Sequence, residues 1–100
     1  MPPPTAGTLA AEVAAEGITV NVIMPGRVAT DRLRQLDEAR AKREGTSYED
    51  VVKASLRQIP MGRYGDPKEY GDAAAFLASQ NASFITGTVM RVDGGQTQAV

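Results

Sequence analysis

The pattern of apolar positions changes from a helical to a strand period within the first quarter of the chain. Over residues 5–16, apolar side chains recur every three or four positions, which predicts a helix capped by Thr5. Gly17 follows at the position where helices commonly end in a left-handed residue. Residues 18–23 are β-branched or apolar at almost every position, which is typical of a strand covered on both faces. We expect the Pro25-Gly26 turn to end this strand, because proline cannot donate to a sheet ladder.

Two helices are predicted in the middle of the chain. Residues 31–44 carry a weak apolar stripe among many charges and are followed by Gly45, a typical helix end. Thr46 and Glu49 have the spacing of a capping box, in which each side chain bonds the backbone amide of the other residue. Thr46 is therefore predicted to cap a second helix, which stops before Pro60.

The last third of the chain predicts a helix and a second strand. Asp66-Pro67-Lys68-Glu69 combines an N-cap aspartate, a proline at the first helical position and a returning glutamate. Residues 88–93 have the composition of a strand and end at Gly94-Gly95. A strand, a helix and a strand in this order predict parallel pairing with a right-handed crossover. Because two strands do not form a stable sheet by themselves, we expect this α/β chain to be part of a larger fold.

Composition and charge exclude several classes of protein. Alanine contributes 15 of the 42 apolar residues, so a core is thin in large side chains. The net charge of −1 excludes a strongly basic nucleic-acid surface, and the absence of Cys and His excludes disulfides, Cys/His zinc sites and Ser-His-Asp triads. No apolar run approaches the ~18 residues of a membrane span, and residues 1–4 lack the features of a signal peptide. We therefore expect a cytoplasmic protein with no nucleic-acid partner, no membrane contact and no metal.

Four segments in series resemble one known family. Their order and spacing are similar to the C-terminal third of the short-chain dehydrogenase/reductases, in particular the 3-oxoacyl-(acyl-carrier-protein) reductases and related sugar or alcohol dehydrogenases. The resemblance begins at about Leu9, and its specificity comes from the series rather than from any single motif. The four segments are Gly17 to Gly26 with Thr30-Asp31, Gly62-Arg63-Tyr64-Gly65-Asp66-Pro67, Phe76-Leu77-Ala78-Ser79, and Ile85-Thr86-Gly87 through Val92-Asp93-Gly94-Gly95.

The resemblance implies an α/β fold that is the C-terminal fragment of a doubly wound, Rossmann-like parallel sheet, with two parallel strands, flanking helices and a helical lid. It implies NAD(P)-dependent hydride transfer between a carbonyl and a hydroxyl of a small-molecule substrate, and homo-oligomers in the family. One partial domain then covers residues 1–100. Its parts are a proline lead (1–4), a helix, strand and PG loop (5–30), lid-like helices (31–59), a crossover helix and last strand (60–95) and a tail (96–100).

The family's catalytic and phosphate-binding elements are not found in these 100 residues. There is no G-x-x-x-G-x-G loop, no Asn-Ala-Gly element and no matching catalytic Ser. Tyr64 and Lys68 have the family's Tyr-x-x-x-Lys spacing, but Pro67 places a helix start between them, so a turn and a cap are favoured over catalysis. We predict no catalytic residue and no activity of this chain alone. The alternatives are an interaction module that associates with another such subunit, or a truncated reading frame without function.

The resemblance transfers cofactor contacts only to the loop after the first strand. In the family this loop holds the nicotinamide end of NAD or NADP, with the Val28 backbone on the carboxamide and the Thr30 hydroxyl on the carboxamide or a phosphate oxygen. The matching positions are Pro25, Gly26, Val28 and Thr30. From spacing alone, Pro25-Gly26 is an ordinary strand-ending turn and Thr30 caps the next helix.

A substrate-binding role is implied for the lid-like helices. The apolar residues that match the lid are Leu33, Leu36, Val52 and Leu56. Packing of the two helices against each other explains the same residues equally well. Six basic and three acidic residues between Arg27 and Arg43 give this region a net charge of +3. That charge is expected either to favour an acidic or phosphorylated substrate carrier or to form a solvated helix face.

Overall fold

The computed structural model describes residues 5–97, so the predicted proline lead and the end of the predicted tail lie outside the described residues. Within this range the chain forms four α-helices and a two-stranded parallel sheet, with single turns of 3-10 helix after the first and last helices. This confirms the predicted fold class. The elements are α1 (Ala6–Val13), β1 (Val22–Pro25), α2 (Asp31–Glu44), α3 (Tyr48–Arg57), α4 (Pro67–Leu77) and β2 (Val89–Val92).

The first strand is shorter and lies later in the chain than predicted. β1 begins at Val22, which is paired with Val89, and residues 18–21 are outside the ladder. Polar side chains hold that approach instead: the Val20 amide donates to Thr86 Oγ1 at 3.0 Å, and the Thr88 amide donates to Asn21 Oδ1 at 3.0 Å. The predicted strand over 18–23 is confirmed at Val22 and Ile23 and wrong at residues 18–21, because the bonds that hold those residues involve partners more than 60 positions away.

Pro25 is the last residue of β1 and is paired with Val92, so the strand ends at the predicted Pro25-Gly26 turn. The amides of Val22 and Gly26 donate to the carbonyls of Thr88 and Val92. Because alternate amides of a strand face opposite edges, the position of the missing Pro25 amide faces the outer edge of β1. No ladder bond to β2 is lost, which is why the proline is tolerated.

Each of the four α-helices begins after a residue whose side chain caps it. Thr5, Thr30 and Asp66 cap α1, α2 and α4, as the sequence predicts, and Gly45 has the expected left-handed φ of 68° after α2. α3 is the exception, because Ser47 Oγ accepts from the Asp50 amide at 3.1 Å, so the cap lies one residue after the predicted Thr46.

The buried side of α3 is not the side that carries Val52 and Leu56, the lid-like residues predicted on this helix. The buried positions are Val51 and Ser55, followed by Ile59 after the helix, at an exact spacing of four residues. Val52 and Leu56 are only half-buried. Because Ser55 is polar, a prediction from apolar residues alone does not identify this row as the buried one.

One face of the sheet is uncovered within the described residues. Val22, Met24 and Val89, which alternate along the two strands, are 39%, 49% and 48% exposed. Their neighbours Ile23 and Met90 are half-buried. This apolar face, together with the unpaired edge of β1, is what a part of a larger sheet would present.

The cap of α4 makes stability dependent on pH. The Arg63 guanidinium and the Asp66 amide both donate to the Glu69 carboxylate and lower its pKa from 4.5 to about 2. As pH falls, the unfolded chain therefore binds the proton first, and the stabilisation is lost between about pH 4.5 and pH 2. Glu69→Gln keeps the capping acceptor but does not titrate. We therefore expect this variant to have a melting temperature that depends less on pH over this interval. An unchanged pH profile in thermal melts would contradict this assignment.

Candidate functional site

An open groove lies at the carboxyl end of β1. It has a volume of about 350 Å³ and is bounded by the loop after β1 and the first half of α2. In parallel α/β sheets, ligands bind outside the carboxyl ends of the strands. The lining residues are Pro25, Gly26, Arg27, Val28, Thr30, Arg32, Leu33 and Leu36.

Gly26 is required by the sheet itself. A Cβ at this position would lie 2.6 Å from Asp93 Cβ and 2.7 Å from Asp93 Cα. The Gly26 amide donates to the Val92 carbonyl at 2.9 Å, so the chains leaving β1 and β2 remain in close contact. The structure therefore gives this glycine a packing reason that is independent of any ligand.

Val28 has unused backbone hydrogen-bonding groups. Gly65 is bonded to both neighbours of Val28, since its amide donates to the Arg27 carbonyl and its carbonyl accepts from the Ala29 amide, each at 2.8 Å. By the alternation of an extended chain, the Val28 amide and carbonyl face away from Gly65. Neither group has a hydrogen-bond partner within residues 5–97. A donor and an acceptor on one residue are the complement of a primary carboxamide.

The Thr30 hydroxyl caps α2 and still has a proton to donate. Its oxygen accepts from the Leu33 amide at 3.2 Å. A hydroxyl that accepts one hydrogen bond remains a donor for another. The capping role and a cofactor contact, which the sequence presents as alternatives, are therefore compatible at this residue.

The groove brings together six of the eight residues proposed from the sequence. Leu33 is buried and Leu36 is 53% exposed, and both line the groove with the four loop positions. Val52 and Leu56 lie on α3, outside the lining. Arg27 and Arg32 also line the groove, although no motif singled them out individually.

Tyr64 and Lys68 do not form a catalytic pair. The Tyr64 hydroxyl donates to Asp37 Oδ2 at 2.7 Å, and Lys68 Nζ lies 2.9 Å from Asp72 Oδ2. Burial, followed by the hydrogen bond to Asp37, raises the pKa of Tyr64, whereas a proton-transferring tyrosine needs a pKa nearer to neutrality. Asp37 lies in the same helical row as Leu33 and Ala41, and this spacing is the sequence signal for the buried contact. In the structure Asp37 is only 2% exposed.

Two further classes of site find no support in the described part of the chain. No group of three His, Cys, Asp or Glu side chains is placed to hold a metal ion in residues 5–97. None of the helices in that range is long and apolar enough to cross a membrane.

Comparisons with known proteins agree with this architecture. The family model for enoyl-(acyl carrier protein) reductase matches residues 5–97. The 3-oxoacyl-(acyl-carrier-protein) reductases FabG of Vibrio cholerae and Haemophilus influenzae are 44% and 46% identical to this chain over 89 residues. These alignments cover 88% of this chain and 32% of each relative, so the chain spans about a third of the length of the curated relatives it matches.

Solved structures show the same relationship. A short-chain dehydrogenase family protein from Francisella tularensis superimposes with a TM-score of 0.87 at 33% identity, over 94% of this chain and 39% of that protein. YwfH, an NADPH-dependent reductase involved in bacilysin biosynthesis, gives a TM-score of 0.85 at 36% identity, over 95% of this chain and 36% of that protein. The chain therefore belongs to the short-chain dehydrogenase/reductases and forms a C-terminal part of their Rossmann-like α/β fold.

Proposed function

We propose that this chain supplies the nicotinamide end of the active site in an NAD(P)-dependent reductase that acts on a small carbonyl or alcohol substrate. The observation that carries the proposal is the pair of unpartnered backbone groups of Val28, a residue that lines the same groove as Thr30. YwfH is an NADPH-dependent reductase, and an actinorhodin polyketide ketoreductase was solved with NADPH, which supports NADPH as the cofactor.

The loop's role is to fix the orientation of the cofactor. The Val28 amide would donate to the carboxamide oxygen, and the Val28 carbonyl would accept from the carboxamide nitrogen. Two opposite bonds to one group hold it against rotation, and such orientation lowers the barrier of a bimolecular step. The nicotinamide, when bound, supplies or accepts the hydride. Leu33 and Leu36 give the groove an apolar wall against which the nicotinamide ring would pack.

Proton transfer is not assigned to any residue of this chain. The one tyrosine with suitable spacing, Tyr64, is committed to Asp37. We therefore propose that catalysis requires the phosphate-binding loop and the Ser, Tyr and Lys that other members of the family carry in the rest of their fold. The uncovered face of Val22, Met24 and Val89 is the surface against which such a remainder would pack.

Substitutions at Thr30 separate its capping role from its cofactor role. We expect Thr30→Ser to retain both, since serine caps helices and keeps the hydroxyl. Thr30→Asp also caps a helix well, but it replaces the donor with a negative charge. In a reductase reconstituted from this chain and the unmatched two-thirds of Vibrio cholerae FabG, Thr30→Asp should raise the KM for NADPH about tenfold or more.

The matched measurement is circular dichroism of the two variants. If Thr30→Asp retained the helix signal and left the KM for NADPH unchanged, the loop would not contact the cofactor. An equal rise in KM for Thr30→Ser would also count against the proposal, because that variant preserves the hydroxyl.

A second candidate function is protein association through the uncovered apolar face, without catalysis. In that case the chain is an interaction module that associates with another short-chain dehydrogenase subunit. Size-exclusion chromatography of the same mixture distinguishes the two: co-elution without NADPH oxidation favours the module, and co-elution with oxidation favours the reductase.

A further inference from the structure

Two arginines are the charged side chains among the residues that line the groove. Arg27 follows the Pro25-Gly26 turn, and Arg32 lies in the first turn of α2. Neither guanidinium forms an ion pair within residues 5–97, whereas Arg34, Arg40 and Arg63 pair with glutamates at 2.7–3.0 Å. The groove therefore has positive charge that no neighbouring carboxylate in its lining neutralises.

Arg27 also has an unsatisfied donor. Its Nε is buried and has no hydrogen-bond partner within the described residues. A buried charged donor without an acceptor is unfavourable, and such groups in native proteins usually have a partner. The planar fork of a guanidinium matches the two oxygens of a carboxylate or phosphate. The terminal nitrogens of Arg27 are not buried in this way and form no hydrogen bond within the described residues, so they can donate to an anionic group in the groove.

The start of α2 adds backbone donors beside Arg32. The amides of Asp31 and Arg32 are in the first helical turn and have no hydrogen-bond partner within residues 5–97, while the Leu33 amide is bonded to Thr30 Oγ1. Free amides at a helix N-terminus favour anions. Asp31 is not among the residues that line this groove; it lines the neighbouring cavity together with Asp37 and Tyr64.

We propose that Arg27 and Arg32 bind the carboxylate of an oxo-acid or hydroxy-acid substrate, with its aliphatic part against Leu33 and Leu36. This inference rests on the proposed function, since it places the substrate beside the nicotinamide loop. The same chemistry is present in the pyrophosphate of the cofactor. A carboxylate is favoured because the two arginines share the groove with apolar side chains, which suit the short carbon chain of an acid.

The test is an NMR titration of the full ¹⁵N-labelled chain, in which the Arg27 Nε–H and the amides of residues 31 and 32 are observed. Acetoacetate is expected to shift these signals, and methyl acetoacetate, which is similar in size but uncharged, is not. Arg27→Gln should weaken acetoacetate binding about tenfold or more. Arg43→Gln, at the exposed C-terminal end of α2, is the matched control and should bind as the unaltered chain does.

Three results would overturn the proposal: equal binding of the neutral ester, equal weakening by Arg43→Gln, or binding of inorganic pyrophosphate without binding of acetoacetate. If Arg27→Gln loses its helix signal in circular dichroism, Arg32→Gln and Arg27→Lys provide the comparison, with binding lost in the first and retained in the second. The Thr30 variants involve neither arginine. A failed titration with the expected Thr30 result therefore rejects this subsite alone, and the reverse outcome rejects the cofactor loop alone.

Discussion

Replacing Gly26 by alanine is expected to lower the free energy of unfolding by about 3 kcal/mol, because the new methyl group would overlap the backbone of Asp93. The Cβ would lie 2.7 Å from Asp93 Cα, and a backbone atom cannot move aside as the end of a flexible side chain can. Relief would require β1 and β2 to separate at the point where the Gly26 amide bonds the Val92 carbonyl. Urea denaturation followed by circular dichroism measures the change.

Gly71→Ala is the matched control for this prediction. Gly71 lies inside α4, and no atom stands within 4 Å of a Cβ built there. Alanine favours a helix interior over glycine by about 1 kcal/mol, so this variant should be more stable than the unaltered chain. Equal and small effects of both substitutions would mean that the two strand ends are not in contact.

Removing the Tyr64 hydroxyl is expected to lower the free energy of unfolding by about 2 kcal/mol. In Tyr64→Phe the nearly buried Asp37 carboxylate loses the donor that lies 2.7 Å from its Oδ2. The contact joins α2 to the segment before α4, so its loss also loosens the helix that carries Leu33 and Leu36.

Tyr70→Phe provides the comparison for Tyr64→Phe. Tyr70 is half-buried on α4, and its hydroxyl has no hydrogen bond within residues 5–97. We expect a change below about 0.5 kcal/mol in the same urea denaturation. If the two tyrosine variants were equally stable, the Asp37 contact would not be a stabilising one.

Elements with local signals were predicted most accurately. α2 begins and ends as predicted, and α4 begins at the predicted Pro67, because Thr30, Gly45 and the Asp66 capping box act through bonds that span no more than four residues. β1 was misplaced, because its start depends on Asn21 reaching Thr88 across 67 positions. The partners in a helix cap are a few residues apart and can be predicted from the sequence. The partner of a strand is a distant segment, which the local sequence does not identify.

The same difference between local signals and contacts between distant residues applies to the candidate site. The loop positions and the first two lid leucines line one groove in the structure, because they follow one strand and begin one helix. Val52 and Leu56 were placed in the site but lie outside the groove, since the buried row of α3 runs through Val51 and Ser55. The close contact of Gly26 with Asp93 was not predictable, because the two residues are adjacent only once β1 and β2 have paired.

The most direct measurement compares NADPH oxidation by this chain alone with oxidation after addition of the separately produced remainder of a FabG relative, using a 3-oxoacyl substrate. Our account predicts no enzyme-like turnover in the first case and turnover in the second. Comparable rates with and without the added part would contradict it, as would a mixture that stays inactive while the relative's own matching third restores activity.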